Sequence, residues 1–168
     1  GTGPVGAAAA VLASQAGAKV RIASHTSATR ARMTSEVVNA RYCATTQPGD
    51  ASVVDAKLEM IKDADIVLGA AKAGIQVLSA HELASAKRLL VAADVNAVPP
   101  AGIEGVGMMD DGAPLVAASG KAVAIGALAI DMMLPAIGTI AEDLGVTTAN
   151  DRQLMVSVYL IASAPGAL

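Results

Sequence analysis

The 168-residue sequence predicts an α/β fold, a doubly wound parallel sheet with helices on both faces, on three observations. Short apolar runs alternate with helical segments of ten or more residues, as crossover units between parallel strands require. Two of those runs, Asp65–Ala70 and Arg88–Val95, are near-continuous apolar stretches of the kind found in strands buried on both faces. The apolar fraction of 54% is built without Phe or Trp, with two Tyr and with 16 Gly, and Ala and Gly are the residues that let helices lie close on a sheet.

Taken in order, Pro4–Ala16 is a run of small helix formers closed by Gly17, where a C-terminal cap glycine belongs. Lys19–Ser24 alternates Val20 and Ile22 against two bases and reads as a strand. Ser27 or Thr26 caps a second helix extending to Tyr42, and Cys43–Thr46 is read as a short strand before a Pro48-Gly49 turn. Ser52–Lys62 is a third helix, with Val53, Val54, Ala56, Leu58 and Ile61 on overlapping faces. Gly74–Ala86 suggests one or two short helical turns between the two buried strands, and Pro99-Pro100 stops the second of them. Residues 101–120 read as irregular, with Pro114–Ala118 a candidate strand. Lys121–Leu144 reads as a long helix broken near Pro135, and Asn150–Ala164 as a final helix.

Composition narrows the function classes. Near absence of aromatic side chains, with 12 basic against 15 acidic residues, argues against a nucleic-acid surface. A single cysteine, Cys43, forms neither an internal disulfide nor a metal cluster, which fits a cytoplasmic protein without structural metal. No charge precedes Lys19, yet the opening has no basic n-region and is broken by Gly1, Gly3, Pro4 and Gly6, so it does not read as a signal peptide. The uncharged stretch Gln153–Leu168 is short for a membrane span and reads instead as a buried helix or packed terminal segment.

Chemistry enters with the opening hexapeptide. Gly1-Thr2-Gly3-Pro4-Val5-Gly6 matches G-x-G-x-x-G at the mouth of a helix, the Rossmann-type dinucleotide fingerprint. In that fingerprint the first glycine makes the tight turn, the second admits a pyrophosphate to the backbone and the third lets the helix pack. Free amides at the helix start then face the phosphates, and Pro4 surrenders only an amide the helix would not use. The alternative is a tail that happens to carry three glycines. Against it, the strand ending at Ser24 falls about 20 residues on, where the ribose-reading residue belongs.

At that strand end an NAD enzyme usually offers a carboxylate to the ribose, whereas an NADP enzyme offers hydroxyls and bases to a 2′-phosphate. No acidic residue precedes Glu36, while Lys19, Arg21, Arg30 and Arg32 lie nearby. We therefore expect NADP, with Ser24, His25, Thr26 and Arg30 as the pocket; a solvated helix face is the competing role for the arginines, the favoured one for Arg32.

Together the hexapeptide, Ala70–Leu78, the Asp-x-Asn-Ala-x-Pro-Pro-x-Gly-Ile run at 94–103 and Ile125-Gly126-Ala127-Leu128-Ala129-Ile130 resemble the NADP-binding half of methylene-tetrahydromethanopterin dehydrogenases, over roughly the first 145 residues. The resemblance implies hydride transfer from a methylene-bridged pterin, or methylene-tetrahydrofolate, to NADP, giving the methenyl form. The product cation is stabilised by two nitrogens, so placement rather than a protein acid or base does the work, and no catalytic residue is assigned. Accordingly His25 is left to the cofactor strand and His81 beside Glu82 to a helix surface. Family members also carry a segment before the glycine motif, so the chain is expected to be the C-terminal part of a longer enzyme. Residues 147–168 would then pack on a substrate domain. Where the family has basic residues after the Gly-Ala-Leu stretch, this sequence has Asp131-Met132-Met133-Leu134-Pro135.

The remaining candidates follow from position. Ala70, Ala71 and Lys72 follow one buried strand at its carboxyl edge, and Asp94 and Asn96 follow the next. Lys72 pairs with a phosphate or is solvated; Asn96 meets the nicotinamide carboxamide or caps the turn before Pro99. Two functions stay open beside the first: an oxidoreductase of another substrate class, and a non-catalytic NADP-binding module. Self-association is expected from the apolar area that a lone nucleotide domain leaves uncovered.

Overall fold

The computed structural model describes residues 1–96, 99–118 and 121–127. Their elements run α1 (Pro4–Gln15), β1 (Arg21–Ser24), α2 (Ala28–Tyr42), β2 (Gln47–Asp50), α3 (Val54–Ile61), β3 (Ile66–Gly69), α4 (Ala80–Leu83), β4 (Val91–Asp94), β5 (Asp111–Pro114) and β6 (Val123–Gly126). The α/β class expected from the sequence is therefore present. Strands β1 and β2 pair in parallel, and a second sheet has the order β3-β4-β6-β5, parallel throughout except for β5 against β6.

Local chemistry explains the first crossover. Helix α1 ends in a Schellman turn, with Gly17 at φ 88° and bonds from its amide to Ser14 and from the Ala18 amide to Ala13. Ser27 caps α2 by accepting from the Arg30 amide at 3.2 Å. Near the far end of α2, Asn39 donates to the Thr46 carbonyl at 2.9 Å and accepts from the Thr46 amide at 2.8 Å, while Ser35 shares a 2.7 Å bond with the Thr46 hydroxyl. This buried polar knot fixes the start of β2. Ala10, Val11, Ile22, Val38 and Ala44 form the apolar core between α1, β1 and α2.

The second sheet separates two cores by strict alternation. Ala92 and Ala124 face a cluster with Ile61, Leu83, Leu89, Ile103 and Leu115; Val91, Ala93, Val123 and Ile125 face the other way. All residues of β4 and β6 are buried, as expected for central strands. Each large aliphatic side chain removed from water there contributes about 1.5–3 kcal/mol.

Three expectations are corrected. The strand expected at Cys43–Thr46 lies instead at Gln47–Asp50, and Pro48-Gly49 is inside it rather than a turn. Pro48 is tolerated because β2 pairs on one side only among the described residues, so no ladder donor is missed. The candidate strand Pro114–Ala118 is displaced to Asp111–Pro114. The front of the expected helix Lys121–Leu144 is strand β6, seated between β4 and β5, because Val-Ala-Ile-Gly buried on both faces carries no helical period. The rest of that helix, the helix at Asn150–Ala164 and the segment 147–168 lie outside the described residues. No helix among the described residues is long and apolar enough to cross a membrane.

Candidate functional site

A cleft of about 750 Å³ opens where the carboxyl ends of β1, β3, β4 and β6 meet the N-terminus of α1. Its walls are Gly1, Thr2, Gly3, Pro4 and Val5; Ser24, His25, Thr26 and Arg30; Ala70, Ala71, Lys72 and Ile75; Val95 and Asn96; and Ala127. Four separate strand ends thus supply one concavity, on the edge of the sheet where ligands bind in open α/β folds.

The glycine segment is shaped for close approach. Gly3 is the N-cap of α1, extended at φ −77° and ψ 176°, with no side-chain cap and no acidic residue in the first turn. The helix begins its own bonding with the Ala7 amide to the Gly3 carbonyl, 2.9 Å. The amides of Gly3, Val5 and Gly6 are thereby left without intrahelical acceptors at the positive end of a three-turn helix. A Cβ on Gly3 would meet nothing within 4 Å, so the space beside that backbone is open. Gly1 and Gly6 differ: a Cβ on Gly1 would collide with the Ala70 carbonyl, and one on Gly6 with the Gly1 carbonyl. The outer two glycines pack the loop; the middle one opens it.

At the end of β1 the four predicted residues divide the labour. Ser24 is buried, and its Oγ accepts from the Thr26 amide at 3.2 Å and the Ser27 amide at 3.4 Å. This turn carries His25 and Thr26 out to the cleft, where both are exposed, with Arg30 one turn into α2. Arg32 points elsewhere and sits 3.9 Å from Glu36 on the helix surface. Among the described residues no Asp or Glu lines the cleft, while His25, Arg30 and Lys72 do. An anion entering it meets amide donors and basic side chains with no fixed carboxylate opposing it.

Two predicted residues do not line the cleft. Gly6 is one, its role being the packing just described. Asp94 is the other: it is fully buried, with Oδ1 accepting from the Asn96 amide and Oδ2 from the Ile103 amide, each at 3.0 Å. Gly69 and Gly102 make room for it, since a Cβ on either would stand 3.0 Å from a carboxylate oxygen. Asp94 therefore ties Asn96 and Ile103 together from inside. Asn96 does reach the cleft, and its Nδ2 donates to the Ala71 carbonyl.

Ile75, Val95 and Ala127 line the cleft without having been predicted. Val95 was legible in principle, because strand alternation sends it opposite to Asp94. Ala127 follows a strand that sequence periodicity hid. Ile75 is returned to the cleft by a turn in which Gly74 has φ 78° and the Ile75 amide donates to the Lys72 carbonyl at 3.2 Å. His81 is exposed on α4, away from these walls, in keeping with a helix-surface role.

No family model matches the sequence. A protein of Methylorubrum extorquens, named NAD(P)-dependent methylenetetrahydromethanopterin dehydrogenase, is 39% identical to it over 130 residues, which is 77% of this chain and 43% of that protein. The chain thus spans less than half the length of the relative it matches.

Proposed function

We propose, from the premise that the chain belongs to the methylenetetrahydromethanopterin dehydrogenase family, that its cleft holds NADP and forms one wall of the active site of a dehydrogenase acting on a methylene-bridged pterin. The observation that carries this is the uncapped N-terminus of α1, opening with Gly3 into a cleft built from four strand ends and lined, among the described residues, by no carboxylate. The residues present fit a dinucleotide phosphate: amides of the Gly1–Gly6 segment for the pyrophosphate, and Thr26 with Arg30 and His25 for the 2′-phosphate.

When bound, NADP supplies the acceptor for the hydride that leaves the methylene carbon. The chain's own residues bind, orient and exclude water. Ile75, Val95 and Ala127 give the cleft an apolar portion suited to a flat, weakly polar ring, and Ala70 and Ala71 leave room beside the phosphate loop. On this reading the reaction moves a hydride and leaves a cation shared by two nitrogens, so placement of the two carbons carries the catalysis.

Scaffold and domain organisation belong to the same proposal. Strands β1 and β3 each have one edge without a partner among the described residues. A further strand between them would join the two sheets into a doubly wound, Rossmann-type order, with the catalytic partner domain in the remainder of a longer protein. The test is NADP reduction by the full-length enzyme with methylene-tetrahydromethanopterin and, separately, methylene-tetrahydrofolate. Turnover with the pterin is expected. NADP binding with no turnover on either carrier would favour a non-catalytic module, and turnover only on an unrelated alcohol or acid would favour another oxidoreductase class.

A further inference from the structure

Two segments that wall the cleft, 70–75 after β3 and Val95-Asn96 after β4, are held by bonds of different destination. The β3–β4 ladder closes with the Val95 amide donating to the Gly69 carbonyl at 3.0 Å. Just beyond it, the main-chain amide of Asn96 goes inward to Asp94 Oδ1 at 3.0 Å, whereas its side-chain Nδ2 goes outward to the Ala71 carbonyl. Ala70, one residue earlier, is the surface on which Gly1 packs. A continuous run of contacts therefore leads from the buried Asp94 through Asn96 to Ala71, Ala70 and the phosphate-loop glycine.

We propose that Asn96 is a positioning residue whose side-chain amide holds the 70–75 segment against β4 and thereby sets the cleft to the width the cofactor needs; this rests on the cofactor site proposed above. Division of its two bonds makes the claim specific. Because the fold-keeping bond to Asp94 uses the backbone amide, truncating the side chain leaves that clamp in place and frees only Ala71. Asp94, by contrast, serves both the loop and the core, so its loss acts on folding. Asn96 thus acts through Ala71 and its neighbours rather than as a group that takes part in the hydride step.

Three Asn96 variants, with Asp94→Ala as the folding comparison, and two ligand-free measurements test this alongside NADP affinity by calorimetry. Asn96→Ala and Asn96→Asp both lack the donor, while Asn96→Gln keeps it on a longer arm. We expect Asn96→Ala to bind NADP about tenfold more weakly, the loss typical of one hydrogen bond, and Asn96→Asp to lose more, because its carboxylate also stands in the cleft lining. Amides of 70–75 should exchange several-fold faster, with a thermal midpoint within about 2 °C of the parent. Asn96→Gln should recover part of both properties. Unchanged exchange in 70–75 overturns the proposal, as does weaker binding without faster exchange, which would make Asn96 a direct cofactor contact. A midpoint that falls as far as that of Asp94→Ala overturns it too, by showing a role in folding. If the parent chain itself fails to bind NADP, the cofactor assignment fails instead, and the ligand-free exchange rates still decide whether Asn96 holds the segment.

Discussion

Gly3 and Arg30 carry the most separable residue-scale predictions. Gly3 has an ordinary backbone conformation and open space where a side chain would stand, so Gly3→Val should fold like the parent. The added carbons would occupy the approach to the free amides, and we expect NADP affinity to drop by at least about tenfold with the thermal midpoint unchanged. Gly6→Val should instead lower the midpoint, because its side chain meets the Gly1 carbonyl. Arg30 is exposed at a cleft whose lining, among the described residues, carries no carboxylate, so Arg30→Ala should cost NADP about tenfold in affinity, a modest charge-assisted bond, and leave NAD unchanged. Equal losses for the two nucleotides would remove Arg30 from the 2′-phosphate site. At this scale the sequence was informative where a residue's place along the chain sets its place in the fold: Gly1, Gly3, the β1 end and Ala70–Lys72 all line the cleft, while Gly6 packs behind it. Asp94 shows the limit, since only the packing of Gly69 and Gly102 around its carboxylate reveals that it faces the core.

Among the elements, the attachment of α3 to the segment that leads into α4 is electrostatic. Lys57 Nζ lies 2.6 Å from Glu82 Oε1 and 3.0 Å from the Val77 carbonyl, with both side chains largely buried. Glu82 also closes a capping box with Ser79. Burial pushes the Glu82 carboxyl up, but the bonds from Lys57 and from the Ser79 amide and hydroxyl outweigh it and hold the pKa below the ordinary value. A depressed folded-state pKa stabilises the protein above the unfolded value, about 4.3 for Glu, and this contribution disappears as pH falls through the lower folded value. Denaturant midpoints should therefore decline below about pH 4, less steeply in Glu82→Gln. Lys57→Ala strands the carboxylate and should destabilise by about 3–5 kcal/mol in unfolding measurements at neutral pH.

Elements also show why part of the fold was illegible. α1, β1, α2, β3 and β4 were predicted because period, caps and apolar runs are local signals. β2 contains Gln, Pro, Gly and Asp, which read as a turn, and it is a strand only because β1 accepts it along one edge. β6 looks helical beside its Ala-rich neighbours, and its pairing with β4 and β5 depends on residues nine or more positions away. Strand assignment there follows from tertiary burial, which sequence periodicity does not carry.

On the scale of the whole molecule, the cleft is assembled from distant parts of the chain, and among the described residues its lining offers donors and bases but no carboxylate. On the function proposed above, that balance favours NADP over NAD, for which a carboxylate would meet the ribose hydroxyls. The most direct test is a pair of calorimetric titrations of the full-length enzyme with NADP and with NAD at one ionic strength. NADP binding tighter by about tenfold or more, with the difference abolished in Arg30→Ala, is the predicted result. NAD binding as tightly as NADP, or more tightly, would contradict it.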